Sequence, residues 1–160
     1  MLLYNRRSFL ILATALAGCG FEPVYDSQPI KGLVGQIQYD TPSSRDTFAL
    51  RDQLERRLGS TQSPKYGLAY SISVGSKRAA VSFNGRAYRQ QLTGAGKYSL
   101  RDLSNNKVVI SGAVDAFVGY APTSTTSSQA AARDARARLM IQIGDLIVED
   151  IMFKSDSLTQ

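Results

Sequence analysis

Residues 66–74 read Tyr-Gly-Leu-Ala-Tyr-Ser-Ile-Ser-Val. Tyr66, Leu68, Tyr70, Ile72 and Val74 interleave with Gly67, Ala69, Ser71 and Ser73. Successive side chains of a strand point to opposite faces, so this alternation defines a strand with one apolar face to bury and one to leave open. A one-faced strand needs sheet neighbours and a covering layer, and the rest of the chain supplies both.

Toward the C-terminus the pattern weakens at Gly75–Ala80 and returns at Val81 and Phe83, before Asn84-Gly85. Those two residues tolerate the positive φ angles of a tight hairpin turn, so the chain is expected to reverse there. The returning strand, Arg86–Arg101, sets Tyr88, Leu92, Tyr98 and Leu100 against Arg89, Gln91, Thr93, Lys97 and Arg101. Gly94 and Gly96 predict a bulge or bend midway along it. A turn at Ser104-Asn105-Asn106 leads to a further alternating strand over Lys107–Tyr120, completing an antiparallel meander.

Toward the N-terminus, Ser44–Leu58 carries Thr47, Leu50, Leu54 and Leu58 at helical spacing, with Phe48 widening the stripe. A serine cap, Asp46 in the first turn, Arg56 and Arg57 in the last, and Gly59 just beyond mark its ends. Its other face, with Arg51, Asp52, Glu55 and Arg56, reads as solvated surface. Leu33–Tyr39 alternates as a short first strand. After the polar loop Ala121–Gln129, a long helix is expected from about Ser128 to Phe153. Its wide apolar stripe runs through Ala132, Ala135, Leu139, Met140, Ile143, Leu146, Ile147 and Ile151. Arginines lead and acids close this helix, an order that the helix dipole disfavours. The order β-α-β-β-β-α predicts an α+β two-layer sandwich: a four-stranded mixed sheet with two helices on one face. The first two strands would run parallel through a right-handed crossover.

The first 19 residues have a different character. Arg6 and Arg7 precede an apolar run from Phe9 to Leu16, and small residues follow, as in a bacterial export signal. Leu16-Ala17-Gly18-Cys19 has the form of a lipobox, in which the thiol takes a diacylglycerol before the chain is cut ahead of it. Residues 1–18 are therefore read as a lipoprotein signal peptide, 19–32 as a lipidated tether rich in Pro and Gly, and 33–160 as a single domain. The apolar run is well short of the about 20 residues that span a bilayer. A multiply acylated Cys19 would hold the body at the membrane without the polypeptide entering it. Arg6-Arg7 followed by Ser8, Phe9 and Leu10 also resembles a twin-arginine signal, so the general and the folded-state export routes both stay open.

Composition narrows the function classes. The 142 residues from Cys19 onward suffice for one domain with its own core. Cys19 is the sole cysteine, so no disulfide can form within the chain, and histidine is absent, which removes the commonest general base and zinc ligand. With no metal-ligand cluster, Gly-rich phosphate loop or GxSxG elbow either, no catalytic activity, no metal and no cofactor beyond the lipid on Cys19 are expected. Without Arg6 and Arg7 the chain keeps 17 basic residues against 13 acidic ones. From Lys77 to Lys107 there are seven basic residues and the single acid Asp102, a block that favours an anionic partner. Nucleic acid fits that charge but not an exported location.

Cys19-Gly20-Phe21-Glu22-Pro23-Val24-Tyr25, a mature length near 140 residues, the element order and the basic middle together resemble the LPS-assembly lipoprotein family, LptE, in its alphaproteobacterial form. The resemblance implies a lipoprotein of the cell outer membrane that plugs the large LptD β-barrel and takes part in lipopolysaccharide transport to the surface. Cys19 fills the family's lipid-attachment position. No motif aligns residues that contact lipopolysaccharide. The physical reading nominates Lys77, Arg78, Arg86 and Arg89, which flank the Asn84-Gly85 turn and suit lipid A phosphates or acidic barrel loops. The same cations would also solubilise an exposed hairpin and discourage edge pairing. Tyr88 and Tyr98 are read as packing residues. A generic envelope lipoprotein, acting as adaptor or peptidoglycan-binding module, is the alternative, and its partner would set it apart from a barrel plug.

Overall fold

The computed structural model of the chain describes residues 32–81, 87–121 and 125–157. The signal peptide, and all of the tether but Gly32, lie outside them. The elements are β1 (Ile37–Tyr39), α1 (Arg45–Leu58), β2 (Tyr66–Val81), β3 (Ala87–Asp102), β4 (Val108–Tyr120) and α2 (Thr125–Ser157). The four strands form one sheet in the order β1-β2-β3-β4, with β1 parallel to β2 and the other pairs antiparallel. This is the expected β-α-β-β-β-α sandwich.

β1 is shorter than the alternation of Leu33–Tyr39 implied. Gly35 sits at φ 73°, in the left-handed region that breaks a strand, and its N–H donates to Leu58 O at 2.8 Å. Leu33 is buried through the turn before it, and Ile37 and Tyr39 through the strand after it. Period two was present in the sequence, but a glycine kink lay inside it.

α1 begins where its signals placed it. Ser44 caps the helix, accepting from Thr47 N at 3.2 Å while the Thr47 hydroxyl accepts from Ser44 N at 2.8 Å. Gly59 closes it at φ 73°, its N–H reaching Glu55 O. Leu50, Leu54 and Leu58 are fully buried, whereas Phe48 is 65% exposed and lies outside the core. The Tyr39 hydroxyl donates to Gly59 O at 2.5 Å and fastens the end of α1 to β1; burial raises its pKa. The other α1 face is solvated surface laced by Arg51–Glu55 and Arg56–Asp52 pairs at i,i+4 spacing.

α2 starts three residues before its expected first turn and extends to Ser157, so at 1.5 Å per residue it is about 50 Å long. Ala135, Leu139, Met140, Ile143, Ile147, Val148 and Ile151 bury its inner face. Gly94 and Gly96 explain how it sits so close to the sheet. β3 pairs without a register break at either, so the expected bulge is absent; a Cβ at Gly94 would lie 2.7 Å from Ile143 Cδ1, and one at Gly96 2.8 Å from Ile143 Cγ2. The two glycines form a channel that receives Ile143. The register breaks that do occur lie near the hairpin, between Arg78 and Val81, and between Leu100 and Arg101 opposite β4.

Two of the closing acids of α2, Asp145 and Asp150, are held by tertiary partners, which accounts for their place on the helix, while Glu149 is exposed. Asp145 accepts from Gln53 Nε2 at 2.9 Å and Arg57 Nη1 at 2.8 Å, both on α1. Asp150 accepts from the sheet, as described below.

Replacing Gly96 by Leu is expected to destabilise the fold by about 1–3 kcal/mol, through overpacking against Ile143 and Val114. Gly119→Ala, on the opposite face with its nearest atom 3.9 Å away, is expected to stay within about 0.5 kcal/mol of the unmodified chain. Urea midpoints at constant slope are the check.

Candidate functional site

Both helices cover one face of the sheet, the face of Leu68, Leu92, Leu100 and Ile110. The other is open. Pairing register sets Gly67, Ala69, Ser71, Ser73, Gly75 and Lys77 of β2 beside Arg101, Ser99, Lys97, Ala95, Thr93 and Gln91 of β3. Ser111, Ala113, Asp115, Phe117 and Gly119 of β4 continue it. Small side chains keep this face flat, and Phe117, 66% exposed, is its large apolar group.

The nominated cations divide across the sheet. Lys77 pairs in register with Gln91, and Arg89 lies two residues from Gln91, so Lys77 and Arg89 are diagonal neighbours on the open face. Arg78, opposite Gln90, falls on the other face at the same level. All three are exposed and make no ion pair among the described residues. Arg86, the Asn84-Gly85 turn and the Tyr88 side chain lie outside the described residues, but Val81 pairs with Ala87, so the chain does reverse between them.

The hairpin reading missed Lys97 and Arg101. Both stand on the open face, where Lys77, Arg89, Lys97 and Arg101 outnumber the acids, Asp115 on β4 and Asp40 at the β1 edge. Their odd numbering, shared with Lys77 and Arg89, was the available signal, because odd positions of β2 and β3 face away from the helices. Arg101 Nη1 donates to Asn106 Oδ1 at 3.4 Å, and Asn106 holds φ 58° in the turn after β3. Asp102 begins that turn, its carboxyl held below its ordinary pKa by hydrogen bonds from the Ser104 hydroxyl and backbone N–H.

On the covered side a polar cluster joins α2 to the sheet near its β4 edge. Tyr98, buried as expected, donates from its hydroxyl to Asp150 Oδ2 at 2.7 Å. Lys154 Nζ donates to the same oxygen at 2.7 Å and to Ser111 O at 2.9 Å, and lies 5.6 Å from the centre of the Tyr98 ring. Gly112 leaves room for the cluster, since a Cβ there would strike Asp150, Lys154 and Tyr98. Desolvation pushes the Asp150 pKa up, but hydrogen bonds from Lys154 and Tyr98, with the charge of Lys154, outweigh it and hold the carboxyl low. Burial and the bond to Asp150 raise Tyr98.

A rigid α+β body with a flat, basic, uncovered sheet face defines a binding or assembly module. The sequence model of the LptE family, described as lipopolysaccharide-assembly, matches residues 35–151, and the chain belongs to that family. No curated protein matches it. Among solved structures, it is similar to a candidate lipoprotein from Caulobacter crescentus CB15 at 25% identity and TM-score 0.65, covering 79% of this chain and 96% of that one. The rare lipoprotein B of Shewanella oneidensis shares the fold at 11% identity and TM-score 0.61, covering 78% and 98%. A minor lipoprotein of Acinetobacter baumannii does so at 13% identity and TM-score 0.54, covering 75% and 92%. Membership places the chain among lipoproteins of lipopolysaccharide assembly. No helix among the described residues is long and apolar enough to cross a membrane, and no group of metal-binding side chains occurs among them.

A carboxylate with a lowered folded pKa adds stability above its unfolded value, near 3.9, and loses it as pH falls through the folded value. Asp150→Asn is therefore expected to lower stability by about 0.5–1.5 kcal/mol at neutral pH, because the site is partly solvated and its ion pair is screened. The deficit should start to shrink as pH falls below about 4, where the carboxyl of the unfolded chain takes up a proton before the folded one does. Urea denaturation at pH 7 and pH 3 measures both effects.

Proposed function

We propose that this chain is a non-catalytic outer-membrane lipoprotein, anchored by acylated Cys19, that plugs an LptD-like β-barrel and assists lipopolysaccharide passage to the cell surface. The family match over residues 35–151 is the observation that carries this reading. The folded body supports it physically. A helix-braced sheet is stiff enough to fill a lumen and keep a barrel in register, and an interface of that kind buries on the order of 2,000 Å² or more.

Within this reading the basic hairpin and the open face divide the work. Lys77, Arg78, Arg86 and Arg89 offer guanidinium and ammonium groups to lipid A phosphates or to acidic barrel loops, and Lys97 and Arg101 extend that charge down the sheet. The flat small-residue surface between them permits close approach of a partner. The lipid on Cys19 keeps the module at the membrane, and the polypeptide contributes binding rather than chemistry.

Reversing Arg78, Arg86 and Arg89 to Glu is expected to weaken lipopolysaccharide binding or barrel assembly about ten-fold or more, at roughly 0.5–1 kcal/mol per exposed charge contact. Circular dichroism should report an unchanged fold. Wild-type binding should also fall between about 10 and 150 mM salt, as the screening length shortens from about 30 to 8 Å. Unchanged binding and assembly in the folded triple variant would remove the basic hairpin from the mechanism.

A further inference from the structure

A second basic site lies on the helical side of the sheet, between the two helices. α1 and α2 run parallel, but α2 begins at Thr125 whereas Asp46, in the first turn of α1, meets Arg136. Roughly 16 Å of α2 therefore projects past the start of α1. Where α1 begins, the two helices bound an open cleft of about 740 Å³, a volume typical of small-ligand sites. Ala49, Ala137 and Met140 give it an apolar lining.

Its charges are unevenly satisfied. Asp46 accepts from Arg136 Nη1 at 3.1 Å, and Asp134 accepts from Arg138 Nε at 3.0 Å, so both acids of the lining are already engaged. The Ser44 hydroxyl is engaged in the α1 cap. Arg45 and Arg133 line the same cleft and have no hydrogen bond or ion pair among the described residues. Two unanswered guanidinium groups beside an apolar lining match an anionic head joined to a hydrocarbon chain.

We infer that this cleft seats the phosphorylated end of an acylated glycolipid, its phosphomonoester held between Arg45 and Arg133 and its first acyl carbons along Ala49, Ala137 and Met140. A phosphomonoester carries close to two negative charges at neutral pH and answers both arginines. The phosphodiester of an ordinary phospholipid carries one and leaves an arginine unanswered. Arginine forks also suit phosphate oxygens in paired hydrogen bonds. The inference rests on the lipopolysaccharide-handling reading above and gives the ligand a second contact, on the helical side of the body.

The test uses the full-length lipidated protein in dodecylmaltoside micelles, titrated with bis-phosphorylated lipid A, with its dephosphorylated form and with phosphatidylglycerol. Wild type should prefer lipid A over both of the others. The R45Q/R133Q variant leaves the Arg136–Asp46 pair intact; it should bind lipid A at least about ten-fold more weakly while its weak binding of the dephosphorylated form is unchanged. Equal lipid A binding by wild type and the folded double variant would overturn the inference, as would wild-type binding of phosphatidylglycerol that matches lipid A.

Should the double variant fail to fold, a fluorophore on A137C reports directly: a lipid A analogue spin-labelled on its acyl chain should quench it, and absence of quenching would overturn the inference. Barrel capture separates this inference from the function proposed above. Lipid A binding that does not depend on the two arginines, with the barrel still captured, overturns the cleft alone, whereas arginine-dependent binding without a captured barrel overturns the plug alone.

Discussion

The structure depends on the fit of Ile143 into the channel left by Gly94 and Gly96. A long helix cannot lie close across a strand whose inward side chains are all large, and β3 resolves this by presenting two glycines where α2 comes nearest. The fully buried α2 residues Leu139, Ile143, Ile147 and Ile151 then close over Leu68 and Leu100. The same device recurs between the helices, where a Cβ at Gly144 would lie 2.8 Å from Gln53 Cγ. Close packing at these points makes the two layers one body, because interiors at this density transmit displacement rather than absorb it.

Covering one face so tightly leaves the other to the outside. The open face carries small residues, one large exposed aromatic, and more cations than acids. The polar cluster of Tyr98, Asp150, Lys154 and Ser111 ties the far part of α2 to β4 with directional bonds, adding orientation to the apolar packing.

Most of the architecture was legible because period two and period 3.6 were strong where the strands and helices are longest. β2, β3 and β4 followed from alternation, and α1 from its serine cap, terminal glycine and leucine stripe. What failed has local causes. Gly35 broke an apparent strand without disturbing its alternation, and glycines in β3 read as a bend because a sequence does not show which partner approaches them. Phe48 lay beside the stripe of α1 yet remained exposed, since α2 and the sheet reach only part of that helix's circumference. Alternation already set Arg89, Lys97 and Arg101 on one side of β3, but placing Lys77 with them and Arg78 on the other face required the register. The cleft was invisible because Arg45 and Arg133 lie nearly ninety positions apart and meet only through the parallel packing of the helices.

The proposed function makes this body the stoichiometric partner of a barrel rather than a free-standing lipoprotein. The most direct measurement is to extract the full-length protein from the membranes of its own cells in mild detergent and identify what remains bound by mass spectrometry. One large β-barrel protein recovered in equal amount is the result the account predicts. Recovery of the protein alone, or together with cell-wall fragments, would contradict it.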